Sequence, residues 1–229
     1  MEALTPLSFE EKAKLVGTGT STIGLVCKSG VVMATDMRAT AGHMISHKTT
    51  QKLFRISDHL GLTVAGLVGD AQVLARWLQA EVELYQVKRG ADISVKAAST
   101  LMANILNARK FYPFWVQLLV GGTDKDGGWV YSLDAAGGNI PDKYVSTGSG
   151  SPFIYGVLED HWKDDMTTDE GLDLGVRALM ASMKRDSASG DGIAICAIDR
   201  KTGFKRLDAA DIEARKKRMK ITTPGPGVA

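Results

Sequence analysis

Cysteine is scarce in this 229-residue sequence: two residues, Cys27 and Cys196, each within an apolar run. Two isolated thiols argue against a disulfide framework and for a reducing compartment, so a cytoplasmic location is expected. Long apolar runs are absent, and none approaches the ~20 residues of a membrane helix. The first residues, MEALTPLSFEEKAKLVG, lack the apolar centre of a secretory signal. An excess of one charge is also missing. Lys+Arg is 28 and Asp+Glu is 26, a formal net charge of +2, which gives no footprint for nucleic acid or a membrane surface. His43, His47, His59 and His161 form no HExxH, and neither cysteine has a nearby partner, so no metal is expected. The glycine-rich Gly148-Ser149-Gly150-Ser151 lacks the Lys-Ser/Thr of a phosphate loop, and there is no GxSxG elbow.

What remains suits one large domain with a full core. Residues 1–19 differ from the rest: an amphipathic scrap, Phe9 to Val16, precedes Gly17-Thr18-Gly19. They read either as a frayed terminus or as a cleavable leader. Residues 221–229 read as a loose tail, because Pro224 and Pro226 forbid a helix. In between, β-rich runs alternate with helix pairs. Thr22–Cys27 and Val31–Asp36 predict a hairpin with a three-residue loop. Lys52–Ile56 and Leu62–Ala65 predict two more strands. A helix is predicted from Asp70 as N-cap and a second from Ser94. Strands return at Val116–Val120, Trp129–Leu133 and Tyr144–Thr147. Ser151-Pro152 opens a helix, and Thr167-x-x-Glu170 is a capping box that opens another. A last hairpin, Gly192–Ile198 with Phe204–Leu207, leads into a basic helix ending near Met219. A doubly wound sheet needs one crossover helix per strand. Helix pairs fit a layered α+β sandwich instead.

The chemistry centres on Gly19-Thr20-Ser21-Thr22 at the start of the first strand. Cut after Gly19, Thr20 carries a hydroxyl and a free α-amine on one residue. An α-amine titrates near ~7.7–8.0 and can take the hydroxyl's proton at neutral pH. Threonine is also simply common in strands. A hairpin register with Cys27 facing Val31 sets Asp36 opposite Thr22, on one face with Thr20. Lys52 then supplies a cation beside that carboxylate, either as a catalytic partner or as an architectural ion pair.

The string TSTIGLVCKSGVVMATDMRAT resembles the mature start of catalytic β-subunits of the proteasome core particle, in the archaeal form. The likeness continues through LTVAGLVGDAQ, QLLVGGTDKDGG, LDAAGG, STGSGSPFIYGVLE and RDSASGDGI, and covers essentially all of 20–215. Ser21 departs from a threonine common after the nucleophile. The resemblance implies the four-layer αββα sandwich of N-terminal nucleophile hydrolases. It divides the chain into a propeptide (1–19), a catalytic domain (20–220) and a tail (221–229).

The same resemblance assigns roles. Thr20 is the nucleophile, freed by cleavage after Gly19. Asp36 and Lys52 stand beside it. Ser149 holds a water near the amine, and Asp186 and Ser189 orient the nucleophilic residue. Gly66 gives the oxyanion-hole N–H, Arg38 is structural, and Thr40 and Gly66 pair with an extended peptide. Ala39, Thr50, Phe54, Val64, Val68 and Gln72 surround the side chain before the scissile bond. No metal or organic cofactor is required. The implied partners are α-subunits, further β-subunits in seven-membered rings of an α-β-β-α stack, a regulatory ATPase and unfolded protein substrate. A bacterial two-ring relative and a non-catalytic ring subunit are the alternatives. The intact Gly19–Thr20 junction and Lys52 weigh against the second.

Overall fold

The computed structural model describes residues 19–221; the leader and tail expected at the two ends lie, apart from Gly19 and Ile221, outside these residues. Twelve strands are described: β1 (Thr22–Val26), β2 (Gly30–Asp36), β3 (Ala39–Ala41), β4 (Met44–His47), β5 (Leu53–Arg55), β6 (Leu60–Gly66), β7 (Val116–Asp124), β8 (Gly127–Leu133), β9 (Asn139–Asp142), β10 (Tyr144–Thr147), β11 (Ile193–Asp199) and β12 (Gly203–Arg206). The helices are α1 (Val68–Arg89), α2 (Val95–Asn107), α3 (Ser151–His161), α4 (Thr168–Met183) and α5 (Ala209–Arg218).

Ten strands form two antiparallel five-stranded sheets, β10-β1-β2-β11-β12 and β5-β6-β7-β8-β9. The alternation of side chains decides how they stack. On β7, Leu118 and Val120 join Leu74, Leu78, Met102 and Leu106 of α1 and α2. Leu119, between them, turns to the other face and meets Val31 and Met33 of β2 and Cys196 of β11. The first sheet likewise packs Ile23, Leu25, Val32 and Ala34 on Ile154, Leu158, Val176 and Leu179 of α3 and α4. Two helices, two sheets and two helices give the αββα sandwich expected from the helix pairing. Close approach of the sheets explains Gly121, where an added Cβ would lie 2.9 Å from Met33 Sδ.

Local signals held at two helix starts. Ser94 caps α2 by accepting from Ala97 N at 3.2 Å. Thr167 and Glu170 form the complete capping box of α4. Two others are corrected. Asp70 is no N-cap: Leu67 caps α1, and Asp70 lies in the first turn, where its carboxylate accepts from Trp115 N at 2.8 Å. The N-cap of α3 is Gly150, not Ser151. The first hairpin is corrected too. Cys27 N donates to Gly30 O at 2.8 Å, so only Lys28 and Ser29 form the loop, and Thr22 faces Thr35 instead of Asp36. One residue fewer in a hairpin loop moves a residue to the other face. The small sheet of β3 and β4, and the edge strand β9, carried no clear alternation and were not anticipated.

Candidate active site

Asp36 ends β2 one residue past the last ladder pair with β1, and its side chain is fully buried. Its Oδ1 accepts from Ser21 N at 3.0 Å and from Lys52 Nζ at 2.8 Å. Its Oδ2 accepts from Arg38 N and Gly190 N, both at 3.0 Å. The carboxylate therefore reaches the start of β1 through the backbone of Ser21, not across the pleat from Thr22. Four donors satisfy a group whose burial without them would be costly. Arg38 contributes its backbone to Asp36, while its guanidinium holds Asp191 at 2.6 Å and Ser187 O at 2.7 Å.

Lys52 lies just before β5, with its ammonium held under the sheet edge. Burial pushes its pKa below the ordinary 10.5; the charges of Asp36 and Asp186 pull the other way, and Arg38 adds a little to the lowering. A buried lysine with a lowered pKa can pass a proton more readily than an exposed one.

Thr20 is 2% exposed. Its Oγ1 donates to Gly19 O at 2.6 Å, and its backbone N donates to Ser149 Oγ at 3.1 Å. Gly19 N donates to Thr40 Oγ1 at 3.1 Å. Ser149 sits in the turn between β10 and α3, where its Oγ donates to Asp186 Oδ2 at 2.6 Å. Ser189 Oγ donates to the same oxygen at 2.6 Å. Gly148 and Gly150 are required around this turn. An added Cβ would lie 2.1 Å from Thr20 O at the first and 2.0 Å from Ser21 Oγ at the second.

One participant was not anticipated. Ser182, fully buried in the last turn of α4, lies with its Oγ 2.6 Å from Ser21 Oγ, which is 2.7 Å from Ser189 Oγ. Proton counting fixes the direction of this chain. A carboxylate only accepts, so Ser189 spends its proton on Asp186, Ser21 donates to Ser189, and Ser182 donates to Ser21. Ser182 also accepts Asp186 N at its carbonyl, at 2.8 Å. Nothing in sequence separates it from other serines late in a helix; only the fold brings it to Ser21.

Gly66 ends β6 with φ +127, and an added Cβ would lie 2.0 Å from Trp115 O. Its neighbour Leu67 donates to Trp115 O at 2.9 Å. Antiparallel pairing alternates, so the N–H of Gly66 points away from β7. That is the side on which Val64 N donates to Lys52 O at 3.0 Å. Two residues on, β5 has no counterpart, and the amide of Gly66 faces the cleft.

The cleft itself is lined by Thr20, Ala39, Lys52, Val64, Gly66 and Val68, with Ala71 and Gln51 further along it. Thr50, Phe54 and Gln72 do not line it. Phe54 belongs to the core beneath α1 and α2, and Gln72 is exposed one position beyond Ala71, which is the residue that helical spacing from Val68 turns inward. Cys27 and Cys196 are not rival nucleophiles, since burial pushes both thiols up to about 12. Among the described residues no group of His, Cys, Asp and Glu could hold a metal ion. No described helix is long and apolar enough to cross a membrane.

Residues 16–198 match the family model described as proteasome subunit. The chain is 49% identical over 197 residues to the proteasome subunit beta of Methanothermobacter thermautotrophicus, covering 86% of this chain and 94% of that one. It is 50% identical over 202 residues to that of Thermoplasma acidophilum, covering 88% and 95%. For Picrophilus torridus the identity is 48% over 208 residues, covering 91% and 99%.

Proposed function

The chain belongs to the proteasome subunit family, and from that premise we propose that it is a catalytic β-type subunit, a threonine endopeptidase whose nucleophile is Thr20. The observation that carries this reading is the 2.6 Å contact between Thr20 Oγ1 and Gly19 O, made within the cluster of Asp36, Lys52, Ser149 and Asp186. The hydroxyl is held beside the carbonyl of the bond it would cut.

In self-activation Thr20 Oγ1 adds to the Gly19 carbonyl carbon, and the C–N bond breaks as the nitrogen takes a proton. The acyl group passes to oxygen, and water then hydrolyses the ester. Residues up to Gly19 leave, and Thr20 gains a free amine. In peptide hydrolysis that amine, through a water held at Ser149, removes the hydroxyl proton and returns it to the departing amine. Lys52 lowers the cost of the developing alkoxide, and Gly66 N–H donates to the oxyanion, a contribution of about 2.7–4 kcal/mol in comparable sites. Ser149, Ser189 and Asp186 orient the amine, and Thr40 and Gly66 offer edges to an extended substrate. The peptide side chain before the scissile bond enters the cleft of Ala39, Val64 and Val68. Assembly with α-subunits into stacked seven-membered rings, feeding by an ATPase and a cytoplasmic setting complete the reading. The chemistry assigns no step to a cofactor.

The experiment is intact-mass measurement of particles assembled with α-type partners. Wild-type chains should begin at Thr20 and hydrolyse peptides. Thr20→Ala chains should retain residue 19 and show no hydrolysis. Trimming in Thr20→Ala particles that contain no other active subunit would refute the mechanism.

A further inference from the structure

Removal of residues 1–19 changes what holds Thr20. With Gly19 in place, Gly19 N donates to Thr40 Oγ1 at 3.1 Å and Gly19 O accepts from Thr20 Oγ1 at 2.6 Å. Both bonds leave with Gly19, and Thr20 becomes a chain terminus, which frays unless it is tied down. Its new amine must still lie at Ser149 Oγ, the partner of Thr20 N at 3.1 Å. We propose that Ser182 is a positioning residue for peptide hydrolysis, which acts through the hydroxyls of Ser21 and Ser189 to hold Asp186, and so the freed amine, in place. The proposal rests on the peptidase reading above.

Two arms leave one carboxylate oxygen. Asp186 Oδ2 accepts from Ser149 Oγ and from Ser189 Oγ, each at 2.6 Å. The first arm ends on Thr20 N. The second ends 2.7 Å further on, at Ser21 Oγ, the side chain of the very next residue. Asp186 thereby holds two consecutive residues of the freed terminus. Ser21 is fully buried and gives its proton to Ser189, so its lone pairs need a donor from inside the protein. Ser182 Oγ, 2.6 Å away, supplies it. A hydroxyl that accepts a hydrogen bond donates a stronger one, so the proton of Ser182 strengthens each later link to Asp186.

Ser182 also meets the Asp186 loop directly, since its carbonyl accepts Arg185 N at 2.9 Å and Asp186 N at 2.8 Å. A helical serine commonly returns its proton to a carbonyl of the preceding turn. Ser182 sends its proton across to Ser21 instead. The hydroxyl chain lies directly under the turn that carries Ser149. A Cβ added at Gly150 would lie 2.0 Å from Ser21 Oγ, 2.1 Å from Ser182 Oγ and 3.1 Å from Asp186 Oδ2. Neither Ser21 nor Ser182 lines the cleft. Ser182→Ala removes the hydroxyl and keeps the carbonyl, so it separates the relay from the loop contact.

The experiment compares particles assembled with α-type partners that carry Ser182→Ala, Ser21→Ala or both, using one fluorogenic peptide and an intact-mass time course of trimming. In Ser182→Ala, kcat should fall by about fivefold to tenfold, the worth of one hydrogen bond in a chain. KM should stay within about twofold, because the lost hydroxyl does not touch substrate. Trimming precedes the free amine and should slow by no more than about twofold. Ser21→Ala cuts the same chain from the other side, so its kcat should fall at least as far, and it reads the proposal even where Ser182→Ala chains do not assemble. Adding Ser182→Ala to Ser21→Ala should cost nothing further, since Ser182 acts through Ser21. Wild-type kcat in either single variant overturns the proposal. So does a double variant whose losses multiply, or a Ser182→Ala particle in which trimming and kcat fall equally, which would mark a general loosening of α4. Wild-type particles that neither trim nor cleave overturn the peptidase reading, and the positioning role with it.

Discussion

Lys52 Nζ lies 2.8 Å from Asp36 Oδ1, with side-chain exposures of 7% and 0%. Removing one member of such a pair strands the other in a poorly solvated site, at about 3–5 kcal/mol. Asp36 keeps three backbone donors, so Lys52→Met should fall at the lower end of that range. Both oxygens of Asp36 accept backbone N–H groups, which an asparagine amide cannot do, so Asp36→Asn added to Lys52→Met should lower stability further and restore no activity. A double variant with measurable turnover would reduce the pair to architecture.

The same lysine gives a pH dependence. Burial lowers its pKa in the folded chain below 10.5. Between the lowered value and 10.5 the unfolded chain binds more protons, so this group's contribution to stability rises with pH across that window. The stability difference between wild type and Lys52→Met, followed by denaturant unfolding, should therefore shift in favour of wild type from neutral toward alkaline pH. A difference that shrinks over that range would contradict the burial argument.

Gly66→Ala tests the oxyanion donor. At φ +127 a Cβ is strained, and here it would lie 2.0 Å from Trp115 O, a backbone atom that Leu67 holds in place. The end of β6 must move, and the amide moves with it. Turnover should fall by about 100-fold or more, the cost of misplacing such a donor, while far-ultraviolet dichroism stays near that of wild type. Full activity would place the oxyanion donor elsewhere.

The helices and most strands were legible in sequence because caps and periodicity are local. Ser94 and the Thr167–Glu170 box acted where they stand. Asp70 misled because its carboxylate serves a backbone N–H 45 residues away. The hairpin register failed by one residue, since Lys28-Ser29 closes a tighter loop than glycine at position 30 suggested. Asp36 nevertheless meets Ser21 and Lys52, because a strand end frees its carboxylate from the pleat. Ser182 and Ala71 were illegible for a related reason: each matters through what the fold places opposite it.

Preference before the scissile bond follows from the cleft. Ala39, Val64, Val68 and Ala71 offer apolar walls, and the two cations among the lining residues, Lys52 and Arg38, are already bonded to Asp36 and Asp191. Leu, Phe or Tyr should be preferred over Glu or Asp at that position, with burial of a large apolar side chain contributing roughly 1.5–3 kcal/mol. Fluorogenic peptides that differ only there decide it. A preference for Glu over Leu would show that one of these two cations is available to substrate.

Gly19 is the residue before the proposed cut, and its lack of a side chain is required by packing. An added Cβ would lie 1.8 Å from Ala188 Cβ and 2.8 Å from Ser149 Oγ. Ala188 is held in turn by its backbone N, which donates to Asp186 Oδ1 at 3.1 Å. A methyl at position 19 would therefore push the Gly19 carbonyl off Thr20 Oγ1 or disturb the Asp186 loop. A displacement of ~1 Å can cost about 100-fold in rate. Gly19→Ala particles should accumulate untrimmed chains over hours in which wild-type chains are fully trimmed. Chains released by other means to begin at Thr20 no longer contain position 19 and should be fully active. Ala188→Gly added to Gly19→Ala removes the opposing Cβ and should restore trimming in part. Intact-mass time courses read all three. Trimming of Gly19→Ala at the wild-type rate would show that the loop yields freely and that glycine is not needed at the cut.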